Sequence, residues 1–181
     1  MRKRTLSGIL TIFIIVSLFA VLSLSAGALP SYKTGTTSSS NVYCLPDNTG
    51  SMLIGSVGSE NVKVYWAEGN SYYIEYVVSS GDYSGYKRGY IPKSKVSVSG
   101  VGSIGYTARN ANTTANTKVY NRSTTSSLLI GTVYSTDTIK IMQEDGSWYY
   151  IQYPASGGYK RGYIPKTAVA SSGGDGGSIT A

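Results

Sequence analysis

The chain has 181 residues, 16 of them basic and 9 acidic, with no histidine and a single cysteine. Without histidine there is no Ser–His or Cys–His nucleophile pair and no histidine metal site, and one cysteine closes no intrachain disulfide. The formal net charge of +7 falls to +4 once the N-terminal cluster Arg2, Lys3 and Arg4 is set aside, too mild for a polybasic nucleic-acid binder.

That cluster opens a leader pattern. Ile9 to Leu24 is free of charge, and Ala26-Gly27-Ala28 supplies small residues at the usual cleavage positions. Sixteen helical residues would span only about 24 Å against a hydrocarbon core of ~30 Å. Residues 1–28 are therefore expected to be a cleaved secretory signal, a retained anchor being the alternative. The mature protein is then secreted, stays at the cell envelope and has no membrane segment. Residues 29–40, rich in Ser and Thr, read as a linker.

Beyond the linker one module is written twice, over 41–98 and 113–170. GYKRGYIPK stands at Gly85–Lys93 and again at Gly158–Lys166. Ahead of it YYIEY (Tyr72–Tyr76) matches YYIQY (Tyr149–Tyr153), and VKV (Val62–Val64) matches IKI (Ile139–Ile141). LIG recurs at Leu53–Gly55 and Leu129–Gly131, and VY at Val42–Tyr43 and Val119–Tyr120. A repeat fixes the fold unit before anything else does. The small indels between copies fall in Gly/Ser/Asn-rich stretches, which marks those as loops and the matched blocks as strands. Cys44 stands where the second copy has Asn121, and is expected to be a half-buried strand residue or, alternatively, half of an intermolecular disulfide.

No stretch of the mature chain has helical periodicity. Its blocks are short, rich in Val, Ile, Tyr and Thr, and separated by Gly, Asn, Asp and Ser, the pattern of antiparallel strands in a small all-β barrel or sandwich. Glu68-Gly69-Asn70 and Glu144-Asp145-Gly146 read as hairpin turns into the YYI strands. The next turns fall at 79–85 and 154–158. The repeated nonapeptide returns as a strand that ends at Pro92 and Pro165, which have no amide to donate. Residues 99–112 read as a flexible connector that lets the copies swing, and 171–181 as a disordered Gly/Ser tail.

Strand alternation sorts the side chains. Ile74, Tyr72, Tyr76 and Ile91, with Ile151, Tyr149, Tyr153 and Ile164, should face each core. Gly89 and Gly162 then lie on the inner side, where backbones approach closely. The other parity leaves Tyr86, Arg88 and Tyr90 in the first copy, and Trp148, Tyr150, Tyr159, Arg161 and Tyr163 in the second, on an outer aromatic–basic face. These eight are the candidate ligand-binding residues, because Tyr beside Arg suits stacking on sugars or peptide planes and bonding to carboxylates. No catalytic set is expected, and neither a metal nor a cofactor. Glu144 and Asp145 sit side by side in a turn, not converging on a bond as a glycosidase pair must.

The ordered blocks VY, LIG, (V/I)K(V/I), YYI and GYIP resemble the bacterial SH3-like domain family. GSWYYI (Gly146–Ile151) resembles that family's turn, Trp and aromatic strand, and GYIP its closing strand and 3₁₀ turn. The resemblance covers both copies and implies two tandem five-stranded barrels. Copy one departs from it at Ser71, where copy two has Trp148. After the Pro come Lys93-Ser94-Lys95 and Lys166-Thr167-Ala168, not the Ser-Asn-Tyr run of signalling SH3 domains, so Pro-rich peptide binding is not implied. The resemblance implies cell-wall targeting, with peptidoglycan or its peptide stems as partner. An adaptor or inhibitor role toward another exported protein is the alternative.

Overall fold

The computed structural model describes residues 31–47, 53–80, 83–106 and 108–170; the leader and the tail lie outside these. The described chain is all-β, with no helix long and apolar enough to cross a membrane.

The first sheet holds β1 (Lys33–Thr37), β2 (Ser40–Tyr43), β3 (Leu53–Val57), β4 (Asn61–Glu68), β5 (Ser71–Ser80), β6 (Tyr83–Pro92) and β7 (Val96–Ser97). Their order is β3-β2-β6-β5-β4-β1-β7. The second holds β8 (Arg109–Ala111), β9 (Thr117–Tyr120), β10 (Leu129–Val133), β11 (Ile139–Asp145), β12 (Trp148–Ala155) and β13 (Gly158–Pro165), in the order β10-β9-β13-β12-β11-β8. Register repeats as faithfully as sequence: Ile74 faces Gly89 as Ile151 faces Gly162, and Tyr73 faces Tyr90 as Tyr150 faces Tyr163.

The expected turns are present. Gly69 and Gly146 take φ of 54° and 57° between the paired strands. Pro92 and Pro165 close β6 and β13, and each leads into one 3₁₀ turn, Lys93–Lys95 and Lys166–Ala168. The turns expected over 79–85 and 154–158 are tighter, because Ser79 and Ser80 still pair with Ser84 and Tyr83, and Pro154 and Ala155 with Tyr159 and Gly158.

Each sheet wraps its own apolar core. Ile74, Ile91, Val42, Val64 and Tyr76 fill the first; Ile151, Ile164, Val119, Ile139 and Tyr153 fill the second. Each of these Ile side chains, withdrawn from water, contributes roughly 1.5–3 kcal/mol. Gly89 and Gly162 are required by space. A Cβ on either would lie 2.6 Å from a Val side chain (Val42 or Val119) and 2.9 Å from a backbone carbonyl (Tyr43 or Tyr120).

Two segments that read as linkers are ordered. β1 lies within 29–40 and pairs with β4, Lys33 opposite Val64. β8 lies within 99–112 and pairs with β11. The rest of that connector does not swing free. Ala67 donates to Gly102 O at 2.9 Å and accepts from Ile104 N at 3.0 Å, which stitches the connector along β4.

Candidate functional site

Strand alternation alone assigns the outer face of each copy to solvent. In the structure the two outer faces meet. Tyr65, Trp66, Tyr73 and Tyr90 from the first copy pack with Tyr150 and Tyr163 from the second as a third buried cluster. Trp66 stacks on Tyr73 at 4.2 Å and meets the edge of Tyr150 at 5.8 Å. β4 and β11 each carry a bulge, at Tyr65 and Met142, where the register slips. A bulge re-aims the side chains around it, and here it adds Tyr65 and Trp66 to the contact.

The polar contacts come in exchanged pairs. Arg88 Nη1 donates to Tyr163 Oη at 3.3 Å, and Arg161 Nη1 donates to Tyr90 Oη at 2.8 Å. Asn121 bonds both ways to the backbone of Arg88, accepting its N–H at 2.6 Å and donating to its carbonyl at 3.0 Å. Cys44, the residue equivalent to Asn121, reaches Tyr159 O at 3.5 Å. It lies one residue past the end of β2 and is buried rather than half-buried. Mutual exchange of equivalent contacts is the mark of an approximate two-fold arrangement.

Buried charge holds the arginines. Glu75 lies 2.9 Å from Arg88, 3.0 Å from Lys63 and 3.2 Å from Arg122 of the second copy. Burial opposes ionisation of Glu75, but Arg88, Lys63 and Arg122 together outweigh it and hold its carboxyl below the usual range. Where the second copy has Gln152, that amide oxygen accepts Arg161 Nε at 3.0 Å. Arg161 instead finds its counter-charge across the interface, 2.9 Å away in Glu68. Glu68 also accepts from Tyr90 at 2.7 Å and from Tyr106 of the connector at 2.8 Å. Burial pushes the phenols of Tyr73, Tyr90, Tyr150 and Tyr163 well above their ordinary value, so all four stay neutral.

Beside this contact a cleft of about 310 Å³ opens between the copies. Each copy gives it equivalent residues: Lys87 and Arg88 with Lys160 and Arg161, Leu53 and Ile54 with Leu129 and Ile130, Tyr73 with Tyr150. Lys87, Arg88, Lys160 and Arg161 give it four cations, and among the described residues no carboxylate lines it. A concave site with apolar walls and a few convergent polar groups is the ordinary form of a small-ligand pocket.

The eight sequence-derived residues are thereby divided. Tyr90 and Tyr163 are fully buried and take no part in an open surface. Arg88, Tyr150 and Arg161 are equally committed to the contact, yet each shows an edge to the cleft. Trp148 is half-buried, edge-on to Tyr120 at 5.7 Å. Of the eight, Tyr86 and Tyr159 alone stand exposed, as the whole set was expected to. The parity of the strands is as expected; the outer face, however, meets the other copy and not water. Sequence reasoning also misses Glu68, Glu75, Asn121 and the Leu-Ile walls. The repeated LIG is the available signal for those walls, since its Leu is kept in both copies while facing outward.

Among the described residues no cluster of acidic, Cys or His side chains is placed to hold a metal ion. No family model matches the sequence, and no curated protein does. Solved structures that it matches include NlpC2 and NlpC1 from Trichomonas vaginalis, each at TM-score 0.33 and 14% identity. The matches cover 77% and 82% of this chain and 48% and 49% of those chains. The chain thus spans about half the length of the structures it matches, and a likeness at that TM-score carries no argument about fold or function.

Proposed function

We propose that this chain is a non-catalytic exported binding protein whose two SH3-like modules attach it to the bacterial cell envelope, with peptidoglycan as the ligand; the five strands expected of each are β3-β2-β6-β5-β4 and β10-β9-β13-β12-β11, to which β1 and β7 in the first sheet and β8 in the second are additions. The repeated strand order, the GYIP closing strands and the 3₁₀ turns after Pro92 and Pro165 support the SH3-like assignment. The observation that carries the binding role is the cleft between the copies, lined by equivalent Leu, Tyr, Lys and Arg residues from both.

The packing changes how two modules act. Independent modules on a tether would gain avidity from two separate sites. Copies locked by Arg161–Glu68 and Asn121–Arg88 instead build one site that neither has alone. The chain contains no histidine, so the nucleophile pair of a wall peptidase has no base in it.

Co-sedimentation with purified cell wall at low ionic strength tests the reading. The protein is expected in the pellet, released as salt rises because part of the attraction is ionic. A folded sample that stays in the supernatant at low salt ends the proposal. Binding that ignores bare wall and needs a second exported protein would establish the adaptor role instead.

A further inference from the structure

We propose that the cleft between the two copies recognises a free carboxylate carried on a small apolar body, of which a short peptide C-terminus is the simplest case. The inference names the ligand of the site proposed above, and the envelope as its source rests on that reading.

Charge sets the sign of the ligand. Among the described residues the carboxylates beside the cleft arginines are already committed: Glu75 to Lys63, Arg88 and Arg122, and Glu68 to Arg161. Among the described residues Arg88 and Arg161 are matched by Glu75 and Glu68, and the half-buried Lys160 adds a further positive charge at the cleft, with Lys87 at the equivalent point of the other copy. The site is therefore cationic by construction. Low-dielectric walls focus that field on whatever enters.

Geometry makes the donors ready. Arg88 is fixed by Glu75, Tyr65 and Tyr163, and Arg161 by Glu68, Gln152 and Tyr90. Guanidinium groups already held in place lose little freedom when an anion arrives. Lys160 flanks Arg161 on the same strand and is only half-buried, so its ammonium group can close on the ligand.

The walls set the rest of its chemistry. Leu53 and Leu129 are 59% and 49% exposed, large apolar groups at equivalent points of the two rims, with Ile54 and Ile130 behind them. A bare inorganic anion makes no use of such walls. A carboxylate with small aliphatic side chains satisfies both features at once within a cleft of about 310 Å³.

Calorimetric titration of the purified protein with N-acetyl-alanyl-alanine, as the L,L and the D,D peptide, tests this against the C-terminal amides and against acetate. At least one acid should bind, with its amide and acetate each about tenfold weaker or worse, the loss that goes with a hydrogen bond to a charged group. Lys160→Gln should weaken the acid about tenfold. Leu129→Asn should weaken the peptide acid while leaving acetate unchanged, which serves if Lys160→Gln fails to fold. Equal binding of acid and amide, equal binding of acetate and peptide, or no binding of either acid overturns the inference. Wall sedimentation of the same samples separates the two proposals. Wall binding that survives Lys160→Gln and excess acid peptide removes the cleft inference alone; acid-peptide binding without wall binding removes the envelope reading alone.

Discussion

Arg161 shows how far a residue's role depends on what covers it. As an exposed ligand contact it would be removable at no cost to stability. Instead its guanidinium is buried against Glu68, Gln152 and Tyr90. Removing one member of a buried ion pair strands the other, so Arg161→Ala should destabilise the fold by ~3 kcal/mol. A fall in melting temperature checks this, and an unchanged melting temperature would return Arg161 to the surface. Its identity is legible because the nonapeptide recurs intact. Its surroundings are not, because Glu68 lies 93 residues away and belongs to the other copy. Asn121 is hidden for a related reason: it completes a strand-like pairing with Arg88, and the first copy fills that position with Cys44, so the repeat carries no sign of it.

At the scale of elements, long strands are legible in the sequence and short ones are not. β5, β6, β12 and β13 are rich enough in Tyr, Ile and Val for a parity to be assigned, and Ile74, Ile91, Ile151 and Ile164 face the cores as that parity requires. β1 does not: its two inward positions are Gly35 and Thr37, neither of which carries an apolar signal. Gly35 is there because a Cβ would crowd Val64, Val96 and Val98. β8 is three residues long and reads Arg-Asn-Ala, too brief for any period to emerge. Gly162 is assigned to a close approach from sequence alone, and the space around it makes that testable. Gly162→Ala brings a methyl against Val119 and the Tyr120 carbonyl, and overpacking of this kind costs ~1–3 kcal/mol. Denaturant unfolding should show that loss, whereas Gly58→Ala, with open space around it, should leave the stability within about 0.5 kcal/mol of wild type.

For the whole molecule, the aromatic contact joins the two sheets into one cooperative unit. Calorimetry should record a single transition whose calorimetric and van't Hoff enthalpies agree, not two module-by-module steps. Two resolved peaks would mean that the contact is weaker than the cores it joins. The same contact fixes the alkaline limit. In the unfolded chain the phenols ionise near pH ~10. In the fold, burial raises Tyr73, Tyr90, Tyr150 and Tyr163 well above that, and Tyr76 to about 12. The native state then holds more protons than the unfolded one, so this contribution is full below pH ~10 and declines as pH rises beyond it. Unfolding monitored by circular dichroism should become steeply easier above pH ~10, and phenolate absorbance should rise with it. Early phenolate absorbance from most of the 17 tyrosines while the fold persists would contradict the burial. The sheets can be read from sequence because they are local; the docking cannot, because each copy's outer face looks complete by itself.

The exchanged contacts of Arg88 with Tyr163 and Arg161 with Tyr90 carry a further consequence. A surface that meets its own copy in this way is what a symmetric homodimer uses, yet here one polypeptide supplies both partners. Covalent linkage lifts the demand that the halves be identical. Glu75 can face Arg88 while Gln152 faces Arg161, and Cys44 of one copy, on Tyr159, can take the place that Asn121, on Arg88, holds in the other. Equivalent residues of the two copies build the pocket, and tethering lets its two ends differ, with Cys44 lining one and Asn121 the other.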